Sequence, residues 1–174
     1  MVILGVDPGV VSTGYGLLSV AAGQPAVLDY GTIVIGNDLD LPSRLLGIYQ
    51  GLVGICSRFH PQAMAIEDLF YNKNIRTAMT VGHARGAIIL AGVHQGLTVH
   101  TYTPLQIKQA VTGYGRADKE QLQRMLKLIF KLPEVPEPDH AADALAAAFC
   151  HLNHDRPYSR LEAGGSKFER QGPE

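Results

Sequence analysis

Cysteine occurs only twice in 174 residues, at Cys56 and Cys150, and tryptophan is absent. Two distant cysteines in apolar, helical-looking surroundings fit neither a disulfide framework nor a zinc-ligand spacing, and they suit a reducing, cytoplasmic setting. Long apolar runs are missing too. The longest, at 86–93 and 141–150, are too short or too interrupted to span a bilayer. The apolar stretch before Asp7 is too brief for a signal peptide. Nor does one sign of charge dominate: 15 basic and 16 acidic residues leave a net charge of −1, which argues against a simple polycationic nucleic-acid binder. Hydrophobic residues reach 46%, enough for a folded chain with one well-buried core, and the length is too short for two ordinary domains.

The charge is unevenly spread. Residues 1–69 carry −4, residues 70–131 carry +7, and residues 132–174 carry −4. A solvated surface sampled unevenly gives such a pattern. So does an anionic partner held by the basic middle, with carboxylates from the flanks converging elsewhere.

Apolar periodicity and turn signals predict strands at 2–7, 13–20, 26–35, 63–67 and 98–102. Helices are predicted at 42–60, 74–95, 104–111, 118–132 and 139–152. Three antiparallel strands followed by β-α units imply an α/β fold with a mixed five-stranded sheet and helices on both faces. A single domain is expected over 1–155, and the polar, Gly-rich residues 156–174 are expected to form a mobile tail. Asp118 and Gln121 have capping-box spacing. The 74–95 helix is rich in Gly and Ala, which favours close approach of another backbone, either this chain's own sheet or a second subunit.

Asp7 closes the first strand and Glu67 the fourth. Asp139-His140-Ala141-Ala142-Asp143 opens the last helix, with His140 and Asp143 sharing a face. Taken singly, Asp7 suits a turn, Glu67 a surface charge and Asp139 a helix cap. Taken together, no basic residue lies nearby in sequence to neutralise them. Converged carboxylates repel and call for a divalent cation. Hard oxygen ligands select Mg²⁺ or Mn²⁺, and two such ions per site activate water and stabilise the leaving oxygen in phosphodiester hydrolysis. Asp68, one residue past Glu67, falls on the opposite face if the strand continues.

These residues carry a resemblance. Ile3-Leu4-Gly5-Val6-Asp7-Pro8-Gly9 with Thr13-Gly14-Tyr15-Gly16, Ala65-Ile66-Glu67, Gly82-His83-Ala84-Arg85-Gly86, Lys108-Gln109-Ala110-Val111 and Ala141-Ala142-Asp143-Ala144-Leu145-Ala146 stand in one order over about residues 1–152. In that order the chain resembles the RuvC family of Holliday-junction resolvases. The resemblance implies a ribonuclease-H-like fold, a homodimer and metal-dependent paired nicking of four-way junction DNA in recombination and repair. It also implies a RuvA–RuvB branch-migration complex as partner. By position, the catalytic and metal-binding set is Asp7, Glu67, His140 and Asp143. Many members of that family have Asp where this chain has His140. The softer, uncharged imidazole leads to the expectation that Mn²⁺ supports activity better than Mg²⁺.

For DNA contact, Lys108 and Lys119 match family positions, and Phe70, Lys73 and Arg76 follow Glu67 closely. A ring at Phe70 suits stacking on an unpaired base. Arg85, inside the Gly/Ala-rich helix, suits either DNA or structure. Two other readings compete. An actin- or sugar-kinase-like phosphotransferase shares the sheet and the Asp7-Pro8-Gly9 turn, but it needs a second lobe for which the chain has no room. A non-catalytic nucleic-acid-binding module does not need all three acidic clusters.

Overall fold

The computed structural model describes residues 1–21, 24–68 and 75–155. Phe70, Lys73 and the expected tail from 156 lie outside the described residues, as does the side chain of Arg76. The order is β1 (Val2–Asp7), β2 (Ser12–Ala21), β3 (Gln24–Val34), α1 (Leu41–Phe59), β4 (Ala63–Glu67), α2 (Ile75–His94), β5 (Thr98–Tyr102), α3 (Pro104–Thr112), α4 (Lys119–Phe130) and α5 (Asp139–Asp155). The strands form one sheet in the order β3-β2-β1-β4-β5. β1 to β3 run antiparallel, and β4 and β5 add in parallel. The expected mixed sheet with helices on both faces is what forms.

Alternation along the central strands divides the core in two. Leu4, Val6, Met64 and Ile66 pack toward α1 and α2 with Ile48, Leu52, Ala84 and Ile88. Ile3 and Ala65 face the other way, into α3, α4 and α5. On that second face α5 lies almost backbone to backbone against the sheet. Its Ala141, Ala142, Ala144, Ala146, Ala147 and Ala148 are fully buried. A Cβ on Gly5 would stand 1.9 Å from the Ala144 carbonyl oxygen, and one on Gly14 would stand 1.9 Å from that of His140. Glycine in these strands is therefore a seat for the helix, not a flexible joint.

Caps set the helix ends that matter to the site. Asp118 and Gln121 make the predicted reciprocal box at the start of α4. That helix stops at Phe130, short of the predicted 132, because Lys131 takes a left-handed conformation (φ 52°) and its N–H turns back to the Leu128 and Lys127 carbonyls. The small residues of α2 fall into two environments. Ala84 and Ala91 are buried on the sheet, whereas a Cβ on Gly82 or Gly86 would meet open space.

Candidate active site

Val6 pairs with Ile66 in parallel register, so Asp7 and Glu67 leave the sheet side by side. Both follow residues that point toward α1 and α2, so both turn their carboxyls toward α5. Gly14 is the cross-strand partner of Asp7, and the first turn of α5 rests on it. That seat brings His140 Nδ1 to 2.5 Å from Asp7 Oδ2. This bond turns Nδ1 toward Asp7 and Nε2 away from it.

The carboxyls crowd one another. Burial pushes Glu67 up to about 8, with the charges of Asp7 and Asp143 and a hydrogen bond to Asp7 adding to it. Burial and then the charge of Asp7 push Asp143 up to about 6, against the pull of Lys119 and His140. Asp7 is also raised by burial, and its hydrogen bond from His140 works against that. The charge of Lys108 opposes the rise at Glu67, which places this lysine within electrostatic reach of the site.

An under-compensated set of partly buried oxygens fits a hard divalent cation. Among the described residues, no three of the His, Asp and Glu side chains are already drawn in as ligands around a common point. The acids take the partners at hand instead: Asp7 takes His140 and Glu67, and Asp143 takes Lys119.

A pH dependence follows. Glu67 and Asp143 hold protons in the folded chain that they release near pH ~4 when unfolded. The folded state therefore binds more protons between that range and about pH 8, and stability falls as pH rises. In a chelator, the melting temperature is expected to drop from about pH 5 to about pH 8. Added Mg²⁺ is expected to recover more of it at the upper end. A flat or rising profile in the chelator would mean that the acids are not crowded.

Lys119, expected to contact phosphate, also stands among the acids: its Nζ is 2.9 Å from Asp139 and 3.8 Å from Asp143. The cluster thus has a basic neighbour that is distant in sequence. Asp139 does not act as the cap. The Pro138 carbonyl accepts the Ala141 and Ala142 N–H groups, while the Asp139 carboxylate is taken by Lys119 and by Gln123. Asp68 lies on the far face as alternation predicted. It sits 3.6 Å from Arg85 of α2, whose Nη2 also donates to Thr101 at the end of β5. Arg85 therefore ties α2 to the strand ends beside Glu67.

Comparison with known proteins bears on this arrangement. Residues 3–151 match the family described as crossover junction endodeoxyribonuclease RuvC. The chain is 52% identical over 151 residues to the protein of that name from Desulforamulus reducens, covering 87% of this chain and 93% of that one. It is 49% identical over 168 residues to the one from Ruminiclostridium cellulolyticum, covering 97% and 100%. Its fold superposes on Thermus thermophilus RuvC in complex with Holliday junction substrate with a TM-score of 0.84 and 34% identity. That superposition covers 90% of this chain and 95% of the other.

Proposed function

Because the chain belongs to the RuvC family of crossover junction endodeoxyribonucleases, we propose that it resolves four-way DNA junctions by hydrolysing phosphodiesters at Asp7, Glu67 and Asp143. It is a metal-dependent hydrolase of DNA, acting in recombination and repair. One observation carries the placement of the chemistry. Three carboxyls from three separate segments meet, partly buried, beside the ends of two parallel strands, and burial first and then the charge of Asp7 raises both Glu67 and Asp143.

Asp7 has contact with both sides of the cluster, so it is the residue placed to serve two ions, with Glu67 and Asp143 each completing one shell. His140, oriented through Nδ1 by Asp7, offers Nε2 as a further ligand or to take a proton from the attacking water. When bound, divalent cations, Mg²⁺ or Mn²⁺ and two per site in our reading, supply Lewis-acid charge and lower the pKa of water. Lys108 and Lys119 meet DNA phosphates close to the cut, and Phe70, Lys73 and Arg76 are assigned to the same DNA surface.

Paired nicks need two sites. Met79, Gly82, Gly86, Leu90 and Val93 step along one exposed face of α2 by three and four residues, and Met79, Leu90 and Val93 are large apolar side chains in solvent. An exposed apolar face of this kind supports a homodimer through α2. A RuvA–RuvB complex as partner and a cytoplasmic location rest on family membership. Among the described residues, no helix is long and apolar enough to cross a membrane.

A synthetic immobile four-way junction, set against a linear duplex of the same arms, tests the reading. Junction-selective nicking is expected with divalent ion present and none in chelator. Mn²⁺ is expected to outpace Mg²⁺ at saturation, because His140 is a softer ligand than a carboxylate. Equal cutting of duplex and junction would contradict the assignment, and equal rates with both ions would remove the metal preference.

A further inference from the structure

α4 and α5 meet beside the site through a contact that the roles above do not require. Asp139 Oδ2 lies 2.9 Å from Lys119 Nζ, and Asp139 Oδ1 accepts from Gln123 Nε2 at 2.9 Å. Lys119 and Gln123 are one turn apart on α4, so a single carboxylate from α5 grips both. Asp139 and Asp143 are one turn apart on α5, and the Lys119 ammonium stands between them, 3.8 Å from Asp143 Oδ2. Resting on the nuclease reading above, we propose that Asp139 is a positioning residue that docks the Lys119 ammonium into the catalytic carboxylate cluster. There Lys119 balances the acids before divalent ions arrive and faces the scissile phosphate once DNA is seated.

Stability is not a sufficient reason for the contact. The Lys119 and Asp139 side chains are 48% and 59% exposed, and a pair that open to solvent adds little to folding. Its effect is on place. A lysine stem has four rotatable bonds and, untethered, samples many positions.

The rival explanation is a tether that merely steadies the start of α5. Single-turnover cleavage at saturating enzyme, junction affinity and melting temperature of Asp139→Asn, Lys119→Met and the double variant separate the two. Docking predicts that Asp139→Asn slows cleavage on the order of 10-fold while junction affinity stays within about 2-fold, and that Asp139→Glu recovers most of the rate. The double variant is then no slower than Lys119→Met alone, because the anchor has nothing left to place. An equal slowing by Asp139→Asn in the wild-type and Lys119→Met backgrounds would overturn docking in favour of the tether. An unchanged rate for Asp139→Asn would also overturn it. Calorimetry with Mn²⁺ alone gives a readout that needs no DNA. Lys119→Met is expected to bind Mn²⁺ about 3-fold tighter or more, since a competing cation has left the acids. Equal or weaker binding would overturn docking. Failure of the wild-type protein to cut junctions would strike the nuclease reading instead and leave the calorimetry interpretable.

Discussion

Asp7→Asn is expected to abolish junction cleavage while the junction remains bound. Asp7 ends the central strand, accepts from His140 and shares a hydrogen bond with Glu67. It is the residue through which the others are connected. Asparagine keeps its shape and still accepts the His140 N–H, so α5 stays seated and the basic surface is untouched. What goes is one full negative charge at the point where cations are to be held. Cation stabilisation of phosphodiester hydrolysis amounts to several kcal/mol, so the rate is expected to fall on the order of 10³-fold or more. A second effect has the opposite sign. The charge of Asp7 is a cause of the raised pKa at both Glu67 and Asp143. Removing it relieves them, and the variant is expected to melt higher than the wild-type chain at pH 8 in chelator. Cleavage within tenfold of wild type would remove Asp7 from the centre of the site. A lower melting temperature would show that its charge is well compensated.

Gly14→Ala is expected to damage fold and activity together. The added methyl would have to stand 1.9 Å from the carbonyl oxygen of His140. That atom belongs to the helix backbone and cannot rotate away as a side chain would. The start of α5 must lift, and its first two turns carry His140 and Asp143. Overpacking of this kind costs about 3 kcal/mol, and for a chain of this size that lowers the melting temperature by roughly 6–12 °C. Displacing catalytic groups by about 1 Å costs on the order of 100-fold in rate, so cleavage is expected to fall even at temperatures where the variant is folded. Ala at Gly54 of α1, where a Cβ meets open space, is the control for a glycine replaced at a helix surface. Wild-type melting and cleavage by Gly14→Ala would mean that α5 is not pressed onto the sheet.

Much of this site is legible in the sequence. An apolar run ending in an acid reads as a strand end, and two such runs in a parallel pair bring their acids together, as Val6 opposite Ile66 does for Asp7 and Glu67. Period-two alternation placed Asp68 on the other face, where it meets Arg85. The Asp118 and Gln121 box was readable from spacing alone. The seat of α5 left a signal too: Gly14 and Gly16 share one face of a strand, and glycine inside a strand marks where another backbone comes close. The meeting of Lys119 with Asp139 left none. It depends on how α4 crosses α5, and the periodicity of each helix specifies its buried face without specifying which surface residues end up abreast. Asp139 looked like a cap because Asp is common there, yet Pro138 supplies the carbonyl that the first turn needs. The division of small residues along α2 was unreadable for a related reason: Ala84 and Gly86 differ in environment through helix rotation, not composition.

The central claim is that two copies of this carboxylate site cut one junction in a paired way. Mapping the nicks on an immobile four-way junction, with each strand end-labelled in turn and Mg²⁺ or Mn²⁺ present, tests it most directly. Nicks at symmetric positions in two strands of like polarity, absent in chelator and absent with Asp7→Asn, are the predicted result. Metal-independent cutting, or nicks scattered over all four strands, would contradict it.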